Sequence, residues 1–261
     1  FHMEAGNRCF DERVPEEINR RLVDHISDIN LTYSNIAREY LLMEGFPKER
    51  IIKTGSPMYE VLNFFKDKIE KSKIVENLQL KNNNFYLVSC HREENIDNDQ
   101  KFNEFLTLLN FLSTKYDIPT LISAHPRTLT KIKKIKNKFN KKIILCKPFG
   151  FFDYIQLQKS SKLVFSDSGT INEESSILGF PALNIREAHE RPEGMEEASV
   201  MMVGFNIKII ENAMKILDNQ TLKNEPISQI VSDYSKPNVS DKVVKIILSH
   251  IDYVNREIWK K

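Results

Sequence analysis

Short apolar blocks alternate along this chain with longer stretches whose apolar residues recur at helical spacing. Phe85-Tyr86-Leu87-Val88-Ser89, Thr120-Leu121-Ile122-Ser123, Ile143-Ile144-Leu145, Leu163-Val164-Phe165 and Ala182-Leu183-Asn184-Ile185 are runs of strand length. Phe102 to Lys115 and Asp153 to Ser160 read as helices between them, Val200 to Val203 as a further strand and Asn206 to Leu217 as a further helix. The same rhythm holds upstream. Phe1 to Gly6 reads as a strand end broken by a glycine, and Asp28 to Thr32 and Ile51 to Gly55 read as two more strands. Pro15-Glu16-Glu17 opens a helix, proline in its first turn and acids behind it, with Ile18, Leu22, His25 and Ile26 on one face. Ser34 is expected to cap a second helix through Met43, which Gly45 ends. Glu60 to Leu80 reads as a helix and a charged connector, and Asp218 to Asn238 as loop with short helical turns. Ser240 is expected to cap a last helix whose inner face carries Val243, Ile247, Ile251 and Val254.

Strands alternating with helices predict an α/β fold, with parallel sheets covered on their faces by helices. The second half of the chain suffices for one doubly wound unit of about five or six strands. The first fifty-odd residues supply only part of another, so two Rossmann-like domains are expected, the first partly present. Residues 1–56 are assigned to that first domain, 57–238 to the second, and 239–261 to a C-terminal helix packing back on the first. The chain begins at Phe1 rather than Met, and the units that complete the first domain are expected upstream of it.

Composition narrows the function classes. With 38 basic against 36 acidic side chains the formal net charge is +2, which argues against a dedicated nucleic-acid binder. Cys9, Cys90 and Cys146 make no CxxC pair, so neither a zinc site nor a disulfide framework is indicated and a reducing cytoplasm fits. No apolar run reaches membrane-spanning length, nothing reads as a signal peptide, and no membrane insertion is expected. The basic run Lys131 to Lys142, with Ile132, Ile135 and Phe139 at helical spacing, reads as a solvated helix face rather than a polyanion site.

The richest candidate chemistry lies in Ser166 to Pro181, SDSGTINEESSILGFP, directly after the apolar run at Leu163. Gly169 lets the backbone turn tightly beside a ligand, Ser168 or Thr170 can cap the following helix, and its first N–H groups form an anion site. Glu173 and Glu174 fall in the first turn, where a carboxylate can also accept from a ribose diol. An ordinary capped helix between two strands has the same pattern. His91 ends a buried strand where ligands of open α/β sheets gather. His125 ends another, beside Pro126 and Arg127, a setting also common in plain turns; His25 and His189 read as structural.

His2-Met3-Glu4-Ala5-Gly6, Pro15-Glu16-Glu17-Ile18-Asn19-Arg20, Cys90-His91-Arg92-Glu93, Ser166 to Glu174 and Glu190-Arg191-Pro192-Glu193 occur in this order. Together they resemble the non-hydrolysing UDP-N-acetylglucosamine 2-epimerase family, with its two-domain, glycosyltransferase-B-like fold. The resemblance spans essentially the whole chain, aligned to the last two-thirds of the family pattern. Asn7 to Val14 and Lys53 to Met58 look most like the branch making UDP-N-acetyl-L-fucosamine by inverting C2 of UDP-2-acetamido-2,6-dideoxy-L-talose.

The resemblance implies an isomerase that eliminates UDP across C1–C2 to a glycal and adds it back after protonation on the opposite face. It implies no metal and no cofactor, a homodimer, and a place in capsule or O-antigen precursor synthesis. Glu4, Glu16 and His91 are the implied catalytic groups, acid and base not being assigned individually. Ser168, Gly169 and Thr170 would hold phosphate, Glu174 the ribose, and Arg20 and Arg191 the diphosphate charge. Phe149 to Tyr154 is where the family packs uracil, and core packing is the competing reading for its phenylalanines. His125 and Arg127 fall where some members bind a second, regulatory UDP-sugar. The competing functions are a glycosyltransferase or hydrolysing epimerase on the same fold, and an inactive UDP-binding fragment.

Overall fold

The computed structural model describes residues 1–12, 14–134, 140–188, 191–222 and 230–261. The expectations that fall on Arg13, Ile135, Phe139, His189, Glu190 and the 223–229 part of the predicted loop lie outside the described residues. The chain divides into two compact units, Phe1–Phe64 with Ala188–Glu197 and Ile230–Lys261, and Phe65–Glu187 with Ala198–Gln229. Among the described residues no helix is long and apolar enough to cross a membrane.

In the first unit β1 (His2–Met3), β2 (Asn30–Thr32) and β3 (Ile51–Lys53) form a parallel sheet in the order β1-β2-β3. Each connection is a helix, Pro15–Ile26 and then Asn35–Met43. Proline at the helical start fits because its missing N–H is one the helix leaves unbonded anyway. Ser34 caps the second helix, its hydroxyl accepting from the Ala37 N–H at 3.1 Å. Ile29 and Leu31 pack against Val239, Val243 and Val254 of the C-terminal segment, while Ala5, Leu41 and Ile51 form a separate cluster.

The inner face of the first helix is not the expected one. Ile18, Leu22 and Ile26 are exposed, and the side chains it buries are Glu17 and Asp24. The reason is local. Asp24 accepts from the Gly6 N–H at 3.2 Å and pairs with Arg8 at 2.7 Å, and Glu17 accepts from the Cys9 N–H at 2.8 Å. These carboxylates turn inward to bind the backbone after β1. Two further expectations are corrected at the C-terminal helix, Val239–Tyr253. Asn238 is its N-cap residue, and Ser240 instead donates its N–H, at 2.9 Å, and its hydroxyl to Glu60. Ile251 is exposed, leaving Val243 and Val254 as the buried residues of the predicted face.

The second unit holds β4 (Tyr86–Ser89), β5 (Thr120–Ser123), β6 (Ile143–Cys146), β7 (Leu163–Ser166), β8 (Ala182–Asn184) and β9 (Met201–Met202). They form one parallel sheet in the order β6-β5-β4-β7-β8-β9, the doubly wound Rossmann order. Every residue of β4, β5 and β7 is buried, which explains their near-continuous apolar character. The helices Asp99–Lys115, Phe151–Ser160 and Ile207–Leu222 supply its covering faces, the last running five residues past the expected end. The strand order reverses between β4 and β7, so their carboxyl ends flank the crevice where open α/β sheets take ligands.

Candidate functional site

In the first unit, Glu4 follows β1 in a left-handed backbone conformation, φ +64°, that non-glycine residues seldom adopt. The turn is held from both sides, since Gly6, at φ +80°, gives its N–H to Asp24. Glu4 meets Arg191 Nη1 at 2.7 Å, Asn7 Nδ2 at 3.2 Å and Arg20 Nη2 at 3.9 Å. Burial opposes its ionisation, but Arg191 with Arg20 and Asn7 outweighs it and holds the carboxyl below its ordinary value. The Arg191 guanidinium also lies over the Tyr33 ring, 5.8 Å from its centre. The structure thus brings Glu4, Arg20 and Arg191 together. Glu16 sits half-buried in the first turn of the helix that carries Arg20, four residues before it.

In the second unit, His91 lies two residues beyond β4 and Asp167 one beyond β7. The ladder between these strands pairs Ser89 with Ser166 and continues as Asp167 N–H donates to the Ser89 carbonyl at 3.2 Å. Asp167, wholly buried, faces His91 Nδ1 at 3.1 Å. The same carboxylate accepts the backbone N–H groups of His91 and Arg92, each at 3.0 Å, and Asn95 Nδ2 at 3.1 Å. The hydrogen bond to Asp167 raises the His91 pKa against burial and the charges of Arg92 and Arg186. Burial pushes Asp167 the other way, yet His91, the Arg92 N–H and Asn95 keep it below the ordinary aspartate value.

Beside this pair, Ser168 and Thr170 do not cap the helix Ile171–Leu178 as expected. Thr170 occupies the N-cap position without a side-chain cap, because its hydroxyl donates to Glu174 Oε1 at 2.8 Å. The Ser168 hydroxyl lies 3.0 Å from that of Thr170, and Gln158 Nε2 donates to Glu174 Oε2 at 2.6 Å. Ser168, Thr170, Glu174 and Gln158 are therefore one hydrogen-bonded chain. Burial raises the Glu174 pKa, partly offset by Gln158 and Thr170. Tyr154, its hydroxyl pKa pushed up by burial, bonds to Ser89 and Ser166 at the ends of β4 and β7. Phe149 and Tyr154 pack half-buried against the core cluster that includes Phe85, Leu87 and Leu157. Phe152 packs against Phe65 at 5.2 Å and Phe151 is exposed.

His125 and Arg127 are exposed, the Arg127 N–H meeting His125 Nδ1 at 3.4 Å and its guanidinium Asp97 at 2.9 Å. Arg127, Asp97, Thr130 and Lys131 line an open cavity of 590 Å³. Sequence reasoning passed over Asp167, Asn95, Gln158 and Tyr33. Asp167 carried a legible signal: an acid immediately after the buried strand Leu163–Ser166, next to the hydroxyl pair.

The chain matches the family model described as UDP-N-acetylglucosamine 2-epimerase over residues 1–248. It superimposes on the structure of a UDP-N-acetylglucosamine 2-epimerase from Rickettsia bellii with TM-score 0.93 and 45% identity, covering all of this chain and 70% of that one. Against the Methanocaldococcus jannaschii UDP-GlcNAc 2-epimerase in complex with UDP-GlcNAc and UDP the TM-score is 0.84, at 31% identity over 95% of this chain and 68% of that one. The curated UDP-N-acetylglucosamine 2-epimerase of that organism is 34% identical over 84% of this chain and 62% of its own length. A Methanococcus maripaludis relative of the same description is 34% identical over 86% of this chain and 64% of its own length. The architecture is thus that of a parallel α/β protein of glycosyltransferase-B-like fold. The chain belongs to the UDP-N-acetylglucosamine 2-epimerase family, and it spans less than two-thirds of the length of these two curated relatives.

Proposed function

We propose that the chain serves a nucleotide-sugar C2 epimerase acting on a UDP-2-acetamido sugar by elimination and re-addition of UDP. The observation that carries this reading is the β4/β7 crevice, where the His91–Asp167 pair adjoins the chain Ser168–Thr170–Glu174. A proton at C2 beside an acetamido group is not acidic. The reaction therefore needs a base to take it while the C1–O bond breaks and UDP leaves with the bonding pair. The glycal is then protonated at C2 on the other face as a phosphate oxygen re-forms the bond to C1. Glu4, held ionised by Arg191, and Glu16 are the carboxylates proposed for the proton steps. His91, favoured in its charged form by Asp167, suits the β-phosphate oxygen that carries negative charge in the intermediate.

Ser168, Gly169 and Thr170 are proposed for the phosphates and Glu174 for the ribose. Arg20 and Arg191 are proposed for the diphosphate, and Phe149 and Tyr154 for the uracil. Within the family, Asn7 to Val14 and Lys53 to Met58 favour UDP-2-acetamido-2,6-dideoxy-L-talose as substrate, giving UDP-N-acetyl-L-fucosamine, over UDP-GlcNAc, giving UDP-N-acetylmannosamine. A cytoplasmic homodimer supplying capsule or O-antigen synthesis completes the reading, with a regulatory UDP-sugar at His125 and Arg127.

The test is incubation of the whole protein with each UDP-sugar in deuterium oxide, followed by proton NMR. C2 inversion with deuterium at C2 is expected. Inversion without deuterium would sink the proton-exchange route, and UDP plus free sugar as final products would favour a hydrolysing enzyme. UDP binding without turnover of either sugar would leave the binding-fragment reading.

A further inference from the structure

His91 has two ring nitrogens, and its Nδ1 faces Asp167 at 3.1 Å. The carboxylate does more than pair with the ring. It also accepts the N–H groups of His91 and Arg92 and the amide of Asn95, so one buried side chain fixes both the backbone that carries the imidazole and the ring itself. The strand ladder places the carboxylate, since Asp167 N–H is bonded to the Ser89 carbonyl, two residues before His91. A loop-closing aspartate needs only the backbone N–H groups, whereas the Nδ1 contact selects one orientation of the imidazole.

We propose that Asp167 is a positioning residue that anchors His91 through Nδ1 and so presents Nε2 to the β-phosphate oxygen of the substrate. The assignment rests on the epimerase reading above. Among the described residues, Arg92 and Arg186 act on the ring to disfavour its protonation, and Asp167 opposes them. Below its raised titration midpoint the imidazole is a cation with both N–H groups in place, and as pH rises through that midpoint the proton retained is the one on Nδ1.

The experiment is nitrogen-15 NMR of the histidine side chains in the whole protein, across pH, for wild type, Asp167→Asn and His91→Asn, the last assigning the His91 signals. In wild type His91 is expected to titrate above about 6.5 and to keep Nδ1–H when neutral. In Asp167→Asn the midpoint is expected to fall by about one pH unit or more. Turnover is expected to drop about 100-fold in kcat with little change in KM, the pH–rate profile moving with the titration. A wild-type His91 that is neutral well below pH 6.5, or that carries its proton on Nε2, overturns the proposal whether or not the variant folds. So does an Asp167→Asn enzyme with unchanged titration and kcat. A wild-type protein that shows the expected titration but no epimerase turnover instead removes the functional reading on which the role depends.

Discussion

Glu174, proposed above for the ribose, would serve binding at the expense of stability. It is buried, it accepts from Gln158 and Thr170, and burial raises its pKa. A carboxyl with a raised folded-state pKa binds its proton more tightly when folded. Its contribution is therefore most favourable below the unfolded value, about 4.3, and declines as pH rises through the folded value. Glu174→Gln keeps the shape and an acceptor for Gln158 while removing the charge. We expect the variant to gain about 1 kcal/mol over wild type at pH 8 and nothing at pH 4, read from urea melts at both pH values. UDP affinity is expected to fall about tenfold by calorimetry, because an amide offers the ribose one acceptor in place of two. A variant less stable than wild type at pH 8 would contradict the burial argument. Glu4 has the opposite sign. Its lowered pKa gives stability that is present above the unfolded carboxylate value and lost as pH falls through the folded one. Arg191→Met is expected to move the Glu4 titration upward, measurable by carbon-13 NMR of the carboxylate.

At the scale of elements, the turn between β1 and the first helix is the most constrained piece of backbone. A Cβ at Gly6 would stand 2.3 Å from the Ala37 carbonyl oxygen, and its φ of +80° is strained for any other residue. Gly6→Ala is expected to cost more than about 2 kcal/mol in urea melts, against about 1 kcal/mol for loss of the Ser34 cap in Ser34→Ala. Equal costs would mean that the chain relaxes around the new methyl. The same contrast explains what was legible in the sequence. The runs at Tyr86, Thr120 and Leu163 announced their strands because burial on both faces favours apolar residues along their middles, with the polar Thr120, Ser89, Ser123 and Ser166 confined to their ends, and Ser34 announced its cap because the bond is made three residues away. The helix from Pro15 misled because its inward residues are Glu17 and Asp24, whose partners lie on the preceding loop. Thr170 and Ser240 misled because a hydroxyl suited to a cap was taken by a carboxylate, Glu174 in one case and Glu60 in the other, and Ser168 because its hydroxyl pairs with that of Thr170. Asp167 took no part in the expected site because its donors at His91, Arg92 and Asn95 lie more than seventy residues earlier in the chain.

For the whole molecule, the two units differ in how much apolar surface secures them. The second unit buries clusters on both faces of a six-stranded sheet, with Phe85 and Leu87 on one side and Tyr86, Val88, Phe105, Leu109 and Phe165 on the other. Among the described residues the first unit has a three-stranded sheet, a cluster around Ile29, Leu31, Val239 and Val243, and a smaller one at Ala5, Leu41 and Ile51. It also relies on the buried Arg8–Asp24 pair, whose attraction is offset by the desolvation of both charges, with Glu44 meeting Arg8 from the exposed side. Apolar burial contributes about 25 cal/mol per Å², so the unit with the larger core holds the larger share of the folding free energy. Opening is then expected in two stages. In hydrogen exchange of the whole chain across a urea series, the amides of β1, β2 and β3 should lose protection first, and those of β4, β5 and β7 should persist to higher urea. Because His91, Asp167, Ser168 and Glu174 lie in the second unit, while only Arg20 and Arg191 of the groups proposed for UDP lie in the first, UDP binding should shift the second stage to higher urea more than the first. Simultaneous loss of protection in both sets of strands would show one cooperative unit, and a UDP-dependent shift confined to the first stage would move the nucleotide away from the β4/β7 crevice.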